Sequence, residues 1–289
     1  MHVKKVLCVG EILWDVIGGD KYLGGAPLNV AANISGLGAE AWVLSALGKD
    51  ELGAAALEKA RSAGIKTGLV SVLPEYPTGT AVVHPELDGN ERFELPYPVA
   101  YDGIALCGES KNLLSEISPD AIVFGTLGAY RSNTVRETIE TVVNMFPDSL
   151  RLYDVNLRKN YFDRELVSRL ASLSTVVKLN DGEAEILAPL LFGEDMDISG
   201  FANRDIETFG CEFVVVTMGD KGAEMFGRGS FSRVCGIETE VADTVGAGDA
   251  FSAGVVMALL SGMSMAEALE RGNRCGADCV SHPGAFPVK

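Results

Sequence analysis

Basic residues are scarce in this chain. Its 24 lysines and arginines face 40 aspartates and glutamates, giving a formal net charge of −16 over 289 residues. A nucleic-acid backbone needs the opposite balance, so nucleic acid is not an expected partner. Any anionic ligand must be held by local donors working against an unfavourable overall field. Paired cysteines are missing too: Cys8, Cys107, Cys211, Cys235, Cys275 and Cys279 form no CxxC and no disulfide-like spacing. That is the pattern of free thiols behaving as small buried hydrophobes in a reducing compartment. Cys275, Cys279 and His282 have a metal-like look, but without a second matching pair they do not read as zinc ligands.

Long hydrophobic runs are also absent. AFSAGVVMALLSGMSM, the longest apolar stretch, falls short of the ~20 residues that span a bilayer. In MHVKKVLCVGE the apolar run is cut by Glu11, which leaves too little for a signal-peptide core and reads as a first buried strand. A cytoplasmic protein with no membrane partner is expected. Glycine is plentiful at 33 residues, yet it is scattered at turns and forms no low-complexity tract.

What is present is an alternation. KKVLCVG, AWVLSALG, AIVFG, LRLYDV, TVVKLN and FVVVTMG read as buried strands. Helical periodicity fills the stretches between them, from LNVAANISGLG with Pro27 early in its first turn to EAEILAPLL. Strand and helix in turn imply an α/β protein with a mostly parallel sheet covered on both faces. Two segments break the rhythm, one at residues 11–25 and one at 77–100, and each reads as a hairpin. The first turns at Gly18-Gly19-Asp20 and the second at Asp88-Gly89-Asn90. Within a single domain over residues 1–289, these four strands would make a small sheet standing off as a lid that excludes water from a cleft.

DTVGAGDAF, residues 243–251, carries the chemistry. Gly246-Ala247-Gly248 lets successive amides point one way at the start of the helix AFSAGVVMALLSG, where amides and macrodipole favour an anion. Asp249 stands in that first turn. The positive helix end would lower its pKa and leave a weak base at neutral pH, which suits phosphoryl transfer. An ordinary helix cap with glycines for a tight turn is the other way to read the stretch. Other phosphate motifs fail: Gly48-Lys49 is followed by Asp50, so there is no Walker A loop, and Phe251 takes the place of a third dinucleotide-fold glycine.

LGGAPLNVAANISGLGA, KLNDGEAE, VVVTMGDKGAEMF and DTVGAGDAFSAG, in that order, resemble the motifs of the ribokinase-like (PfkB) sugar kinases over essentially the whole chain. The resemblance implies a three-layer α/β/α sandwich with a β-lid, and ATP and Mg²⁺ as cofactors. It makes Asp249 the catalytic base and Gly246, Ala247 and Gly248 the anion hole. Asp15, Gly25 and Asn29 would hold the sugar, with Asn33 structural. Asn180 and Glu183 would organise Mg²⁺ and its waters, and Asn180 with Glu183 also reads as a helix capping box. Thr217, Gly219 and Asn273 would line the adenosine pocket, while Asp243 and the Val245 carbonyl correspond to a monovalent-cation (K⁺) site of some members. A homodimer through the lid, clasped by Trp14–Leu23 and Thr80–Leu95, is a further expectation, since exposed sheet edges are otherwise a liability.

LYDVNLRKNYF is similar to the Asp-x-Asn-x-Arg element of fructokinases and 2-keto-3-deoxygluconate kinases, here Asp154, Asn156 and Arg158. Arg158 offers a planar fork for a phosphate or carboxylate. GEILWDVIGGDKYLGGAPLNVA is most similar to bacterial fructokinases, but FELPYPVAYD lacks the arginine many of them place there. Phosphorylation of fructose is the leading expectation. 2-Keto-3-deoxygluconate, ribose and a nucleoside are other acceptors for the same chemistry, and a non-catalytic sugar-binding regulator is the alternative of a different class.

Overall fold

The computed structural model of the chain describes residues 3–85, 91–158 and 160–286. The turn expected at Asp88-Gly89-Asn90 lies outside them. The first strand, β1 (Lys5–Val9), lies inside a nine-stranded sheet. The chain builds outward from it through β4 (Glu40–Gly48) and β5 (Val70–Leu73). It then returns to the other side of β1 and adds β8 (Ala121–Gly125), β9 (Leu150–Asp154), β10 (Val176–Asn180) and β11 (Phe213–Thr217). All these strands run parallel. An antiparallel hairpin of β12 (Ala223–Gly227) and β13 (Ser230–Val234) finishes that edge. Chain direction across the sheet reverses between β1 and β8, and a crevice opens at the carboxyl ends of strands at such a point.

Strand side chains alternate between two apolar cores, as period 2 requires. Leu7, Val9, Ile122, Phe124, Tyr153 and Val177 enter one core. Val6, Cys8, Ala121, Val123, Leu152 and Val176 enter the other. The first core is closed by α5 (Asn133–Met145), α6 (Arg164–Leu173), α7 (Asp181–Phe192) and α8 (Ile198–Phe209). The second is closed by α1 (Ala26–Gly36), α2 (Glu51–Ser62), α9 (Ala247–Leu260) and α10 (Met265–Val280). Each fully buried Leu, Ile or Phe contributes roughly 1.5–3 kcal/mol. Helix, sheet and helix form the three layers read from the alternation, so the fold is α/β.

Two short helices were not legible as separate elements: α3 (Gly108–Ile117) and α4 (Thr126–Arg131). α4 begins directly at the end of β8, with no loop to announce it. The inserted segments do form a second, four-stranded sheet, in the order β3 (Asp20–Gly24), β2 (Leu13–Ile17), β6 (Gly79–Pro85), β7 (Glu91–Glu94). Each hairpin is antiparallel, while β2 and β6 join the two in parallel. Cys8, Cys211 and Cys279 are buried as expected of free thiols, whereas Cys107 and Cys235 are exposed and Cys275 is half-buried. Among the described residues no helix is long and apolar enough to cross a membrane.

Candidate active site

Polar residues gather where the parallel strands end. Glu11 follows β1, Thr126 follows β8, and Asp154, Asn156 and Arg158 follow or close β9. Asn180 closes β10 and Thr217 closes β11. Asn156 takes a left-handed φ of 37°, which turns the chain between Asp154 and the exposed Arg158.

α9 opens beside these ends. Its cap is Gly246 at φ 81°, with no side-chain hydrogen bond to the first turn. A side chain at Gly246 would both favour the wrong backbone region and collide with Ala285. The ordinary-cap reading of this turn therefore loses its main feature, the capping side chain. No side chain caps the first turn, and its Ala247 amide makes one long bond of 3.4 Å to the Thr244 carbonyl, so the helix start still offers donors to an external acceptor. Behind them, Lys178 Nζ lies 3.1 Å from where a Cβ on Gly248 would stand.

Asp249, in the same turn, accepts a hydrogen bond of 2.8 Å from Asn29 Nδ2. Its pKa runs against the expectation from the helix end, since it is pushed up to about 7. Burial is the largest cause and the neighbouring Asp154 adds to it, outweighing Asn29, Lys178 and Arg158. The helix end acts on a carboxyl that has already lost much of its water, and desolvation is the stronger effect.

Asn29 is buried on α1 and its Oδ1 has no partner. Asn33, one turn on, donates to the Asn29 and Ala285 carbonyls and braces the helix. Gly25, at φ 110°, brings α1 against the Glu11 backbone, where a Cβ has no room. Asp15 on β2 has its pKa raised to about 6 by burial, against the pull of Arg158. Glu11 is raised to about 6 by burial, opposed by backbone amides and by Arg158 and Arg131.

On the other side, Asn180 and Glu183 form the reciprocal capping box of α7. Glu183 N donates to Asn180 Oδ1 at 2.8 Å and Asn180 N to Glu183 Oε2 at 2.9 Å. Glu183 Oε1 also accepts from Leu157 N at 2.7 Å, tying the Arg158 loop to α7. Thr217 bonds the Leu179 carbonyl, Gly219 lies in a tight turn at φ 58°, and Asn273 Nδ2 holds the Cys235 carbonyl at 2.7 Å. Asp243 accepts from the amides of Val245 and Gly284, both at 3.0 Å, and Val245 O accepts from the Cys279 thiol. These bonds join the segment before α9 to the chain after α10.

Three groups escaped the sequence reading. Lys178 is buried and bonded to both Asp154 oxygens, at 3.1 and 3.2 Å. Ser252 Oγ lies 2.8 Å from Asp154 Oδ2 and 2.9 Å from Gly248 O, and its single proton is shared between these two acceptors. Arg131 grips Asp102 with two bonds, 2.7 and 2.8 Å long, and donates to the carbonyls of Leu95 and Pro96. For Lys178 the available signal was a lone charge inside an apolar strand, VVKLN; Ser252 and Arg131 sit in helices and carried none.

The pfkB family carbohydrate kinase profile matches residues 4–287. An ATP-dependent 6-phosphofructokinase of Thermoanaerobacterium thermosaccharolyticum is 28% identical over 97% of this chain and 89% of its own length. Fructokinase-1 of Zea mays is 26% identical over 91% of this chain and 84% of its own. The solved structure of a fructokinase from Xylella fastidiosa with bound ATP superposes with a TM-score of 0.86 at 21% identity, covering 98% of this chain and 95% of that one. This last likeness is one of fold.

Proposed function

The chain belongs to the pfkB family of carbohydrate kinases, phosphotransferases with a sugar acceptor, and we propose that it moves the γ-phosphoryl group of ATP to a hydroxyl of a free sugar, fructose first. The observation that carries this reading is the first turn of α9. Its amides have no capping side chain, and beside them stands a carboxyl titrating near neutrality and held by Asn29.

Asp249 takes the proton of the attacking hydroxyl, and a base titrating near the working pH is well matched to that task. The amides of Gly246, Ala247 and Gly248 receive the charge of the transferring group. The unpaired Asn29 Oδ1 accepts from a sugar hydroxyl, with Asp15, Gly25 and Arg158 on the acceptor side. Thr217, Gly219 and Asn273 border the adenosine. Among the described residues no group of three His, Cys, Asp or Glu is placed to hold a metal alone. Glu183, with each oxygen already accepting an amide, fits an Mg²⁺ carried by the nucleotide and reached through water. That ion neutralises phosphate charge when bound. The Asp243 carboxylate and Val245 carbonyl remain the oxygens offered to a K⁺ ion.

A free sugar is favoured over a phosphorylated one by charge. Arg131 reaches the tract that lacks its own arginine, but it is committed to Asp102 and two carbonyls. Arg158 is then the guanidinium left for the acceptor, among Glu11, Asp15 and Asp249. The four-stranded sheet serves as the lid, and its exposed Ile17 and Tyr22 suit a homodimer through it in the cytoplasm. Sedimentation as a clean monomer at micromolar concentration would remove the dimer.

The test is ADP release with ATP and Mg²⁺ over fructose, fructose 6-phosphate, ribose, 2-keto-3-deoxygluconate, glucose, tagatose and adenosine. Fructose should turn over, and Asp249→Asn should lower kcat roughly 10³-fold. Another preferred acceptor corrects the substrate alone. Sugar binding with no ADP release from any acceptor would point to the regulator instead.

A further inference from the structure

We propose that Lys178, Asp154 and Ser252 form a positioning triad behind Asp249, holding the first turn of α9 to the sheet and setting the charge in which the base works. The inference rests on Asp249 being the base.

Register creates the arrangement. Lys178 and Asp154 are direct partners in the parallel pairing of β10 with β9. They share strand parity with Val176 and Leu152, so both side chains point to the α9 face of the sheet. There the ammonium meets both carboxylate oxygens, and Ser252 joins Asp154 to the Gly248 carbonyl. Ser252 lies one turn after Gly248, so its hydroxyl pins that turn in place. Lys178 Nζ fills the space beside Gly248 that a side chain would take. The anion cradle and the base thus rest on a buried ion pair.

Stability does not explain such a pair. Buried salt bridges are commonly matched or bettered by apolar residues of the same volume, and the neighbours on this face are valine, leucine and alanine. The charges that face Asp249 come from several elements: Asp154 from β9, Lys178 from β10 and Arg158 from the following loop. The Cys8 thiol on β1 and the Cys279 thiol on α10 also lie in its field, and Asn29 on α1 donates to it. Among these, Asp154 and Lys178 pull in opposite directions: the first raises Asp249's affinity for a proton and the second lowers it. The residues of the pair therefore predict shifts of opposite sign, which a merely structural role does not.

The readout is the titration of the Asp249 carboxyl, followed by ¹³C NMR of aspartate-labelled protein and assigned by its loss in Asp249→Asn. The pH dependence of kcat with the acceptor that turns over is measured beside it. In Asp154→Asn the midpoint should fall by about one pH unit, and in Lys178→Met it should rise by about as much. Lys178→Met leaves a buried aspartate uncompensated, so the neutral double variant Asp154→Asn/Lys178→Met is included. Its midpoint should return near that of the wild type while kcat stays depressed. Ser252→Ala should leave the midpoint in place and lower kcat about tenfold, because the turn alone has been loosened. Midpoints that stay put, or move the same way in both folded single variants, overturn the triad and leave the base reading intact. Full turnover by Asp249→Asn overturns the base reading and the triad with it.

Discussion

At the carboxyl ends of β9 and β10, charged side chains are buried and bonded to one another, whereas the four-stranded sheet is joined to the body by apolar packing of Leu13, Trp14 and Ala81 and by separate polar contacts. Asp154, Lys178, Ser252 and Glu183 share seven hydrogen bonds' worth of partners drawn from β9, β10, α7, α9 and the Arg158 loop. The small sheet has the Trp14 indole on the Leu52 carbonyl at 3.1 Å, Lys59 over the same ring at 4.9 Å, and Arg131 under Leu95 and Pro96. β3 is largely exposed. The difference teaches a division of labour. Under the proposed function, the region that stabilises developing charge is organised before substrate arrives, and the region that admits a sugar is fastened by fewer polar contacts and is free to shift.

The largest expected effect breaks the organised region. In Gly246→Ala the new Cβ meets Ala285, and a residue with a side chain disfavours φ 81°. The first turn of α9 has to shift, and its amides move away from the transferring phosphoryl group. kcat should fall about 10²-fold or more, with acceptor KM changed little. Steady-state kinetics checks this, and an unchanged kcat would mean that the first turn is an ordinary helix start.

Arg131 probes the loose region. Its side chain is buried, gripping Asp102, and lies 5.0 and 5.2 Å from the rings of Tyr101 and Tyr97. It fastens the return strand of the small sheet to α4. Arg131→Gln/Asp102→Asn removes the pair together, so that no buried charge is orphaned. Acceptor KM should rise about tenfold while kcat stays within about threefold, the signature of lost binding without lost chemistry. A collapse of kcat to the Gly246→Ala level would erase the division of labour.

Much of this was legible in the sequence. The six apolar strands could be read because both faces of a parallel sheet are buried, so each run is mostly apolar with only isolated polar residues such as Lys178. The hairpin pairing of the small sheet followed from turn residues such as Gly18-Gly19-Asp20. DTVGAGDAF announced an amide cradle because glycines cluster at a helix start. α4 was hidden because it follows β8 without a loop, and β12–β13 because AEMFG and SFSRV are short strands interrupted by charged residues. The Asp249 pKa was misread for a deeper reason. The helix end is local and visible in sequence, while Asp154 lies 95 residues earlier in the chain and reaches Asp249 only through sheet register. Lys178 stands out in VVKLN as a lone charge, but its partner is set by β9–β10 pairing, which no local pattern encodes.

The smallest effect separates the two regions by pH. Asp15 and Asp249 both bind protons more tightly than free aspartate, at about 6 and about 7, but they serve different steps. In the proposed role Asp15 holds hydroxyls as a carboxylate, so acceptor affinity should weaken as pH falls through about 6. Measuring fructose binding by calorimetry in Asp249→Asn silences the chemistry and removes the higher titration. Between about pH 7 and pH 6 the ionised share of Asp15 drops from roughly nine-tenths to one-half, so Kd should rise about twofold. Glu11 titrates in the same range, also at about 6, but its carboxyl is buried and already accepts backbone amides. Asp15→Asn on the same background should therefore flatten most of the slope, and what remains is the share of Glu11. A slope that survives intact would move the sugar-holding role from the small sheet to the end of β1, and the loosely fastened region would then act as cover alone.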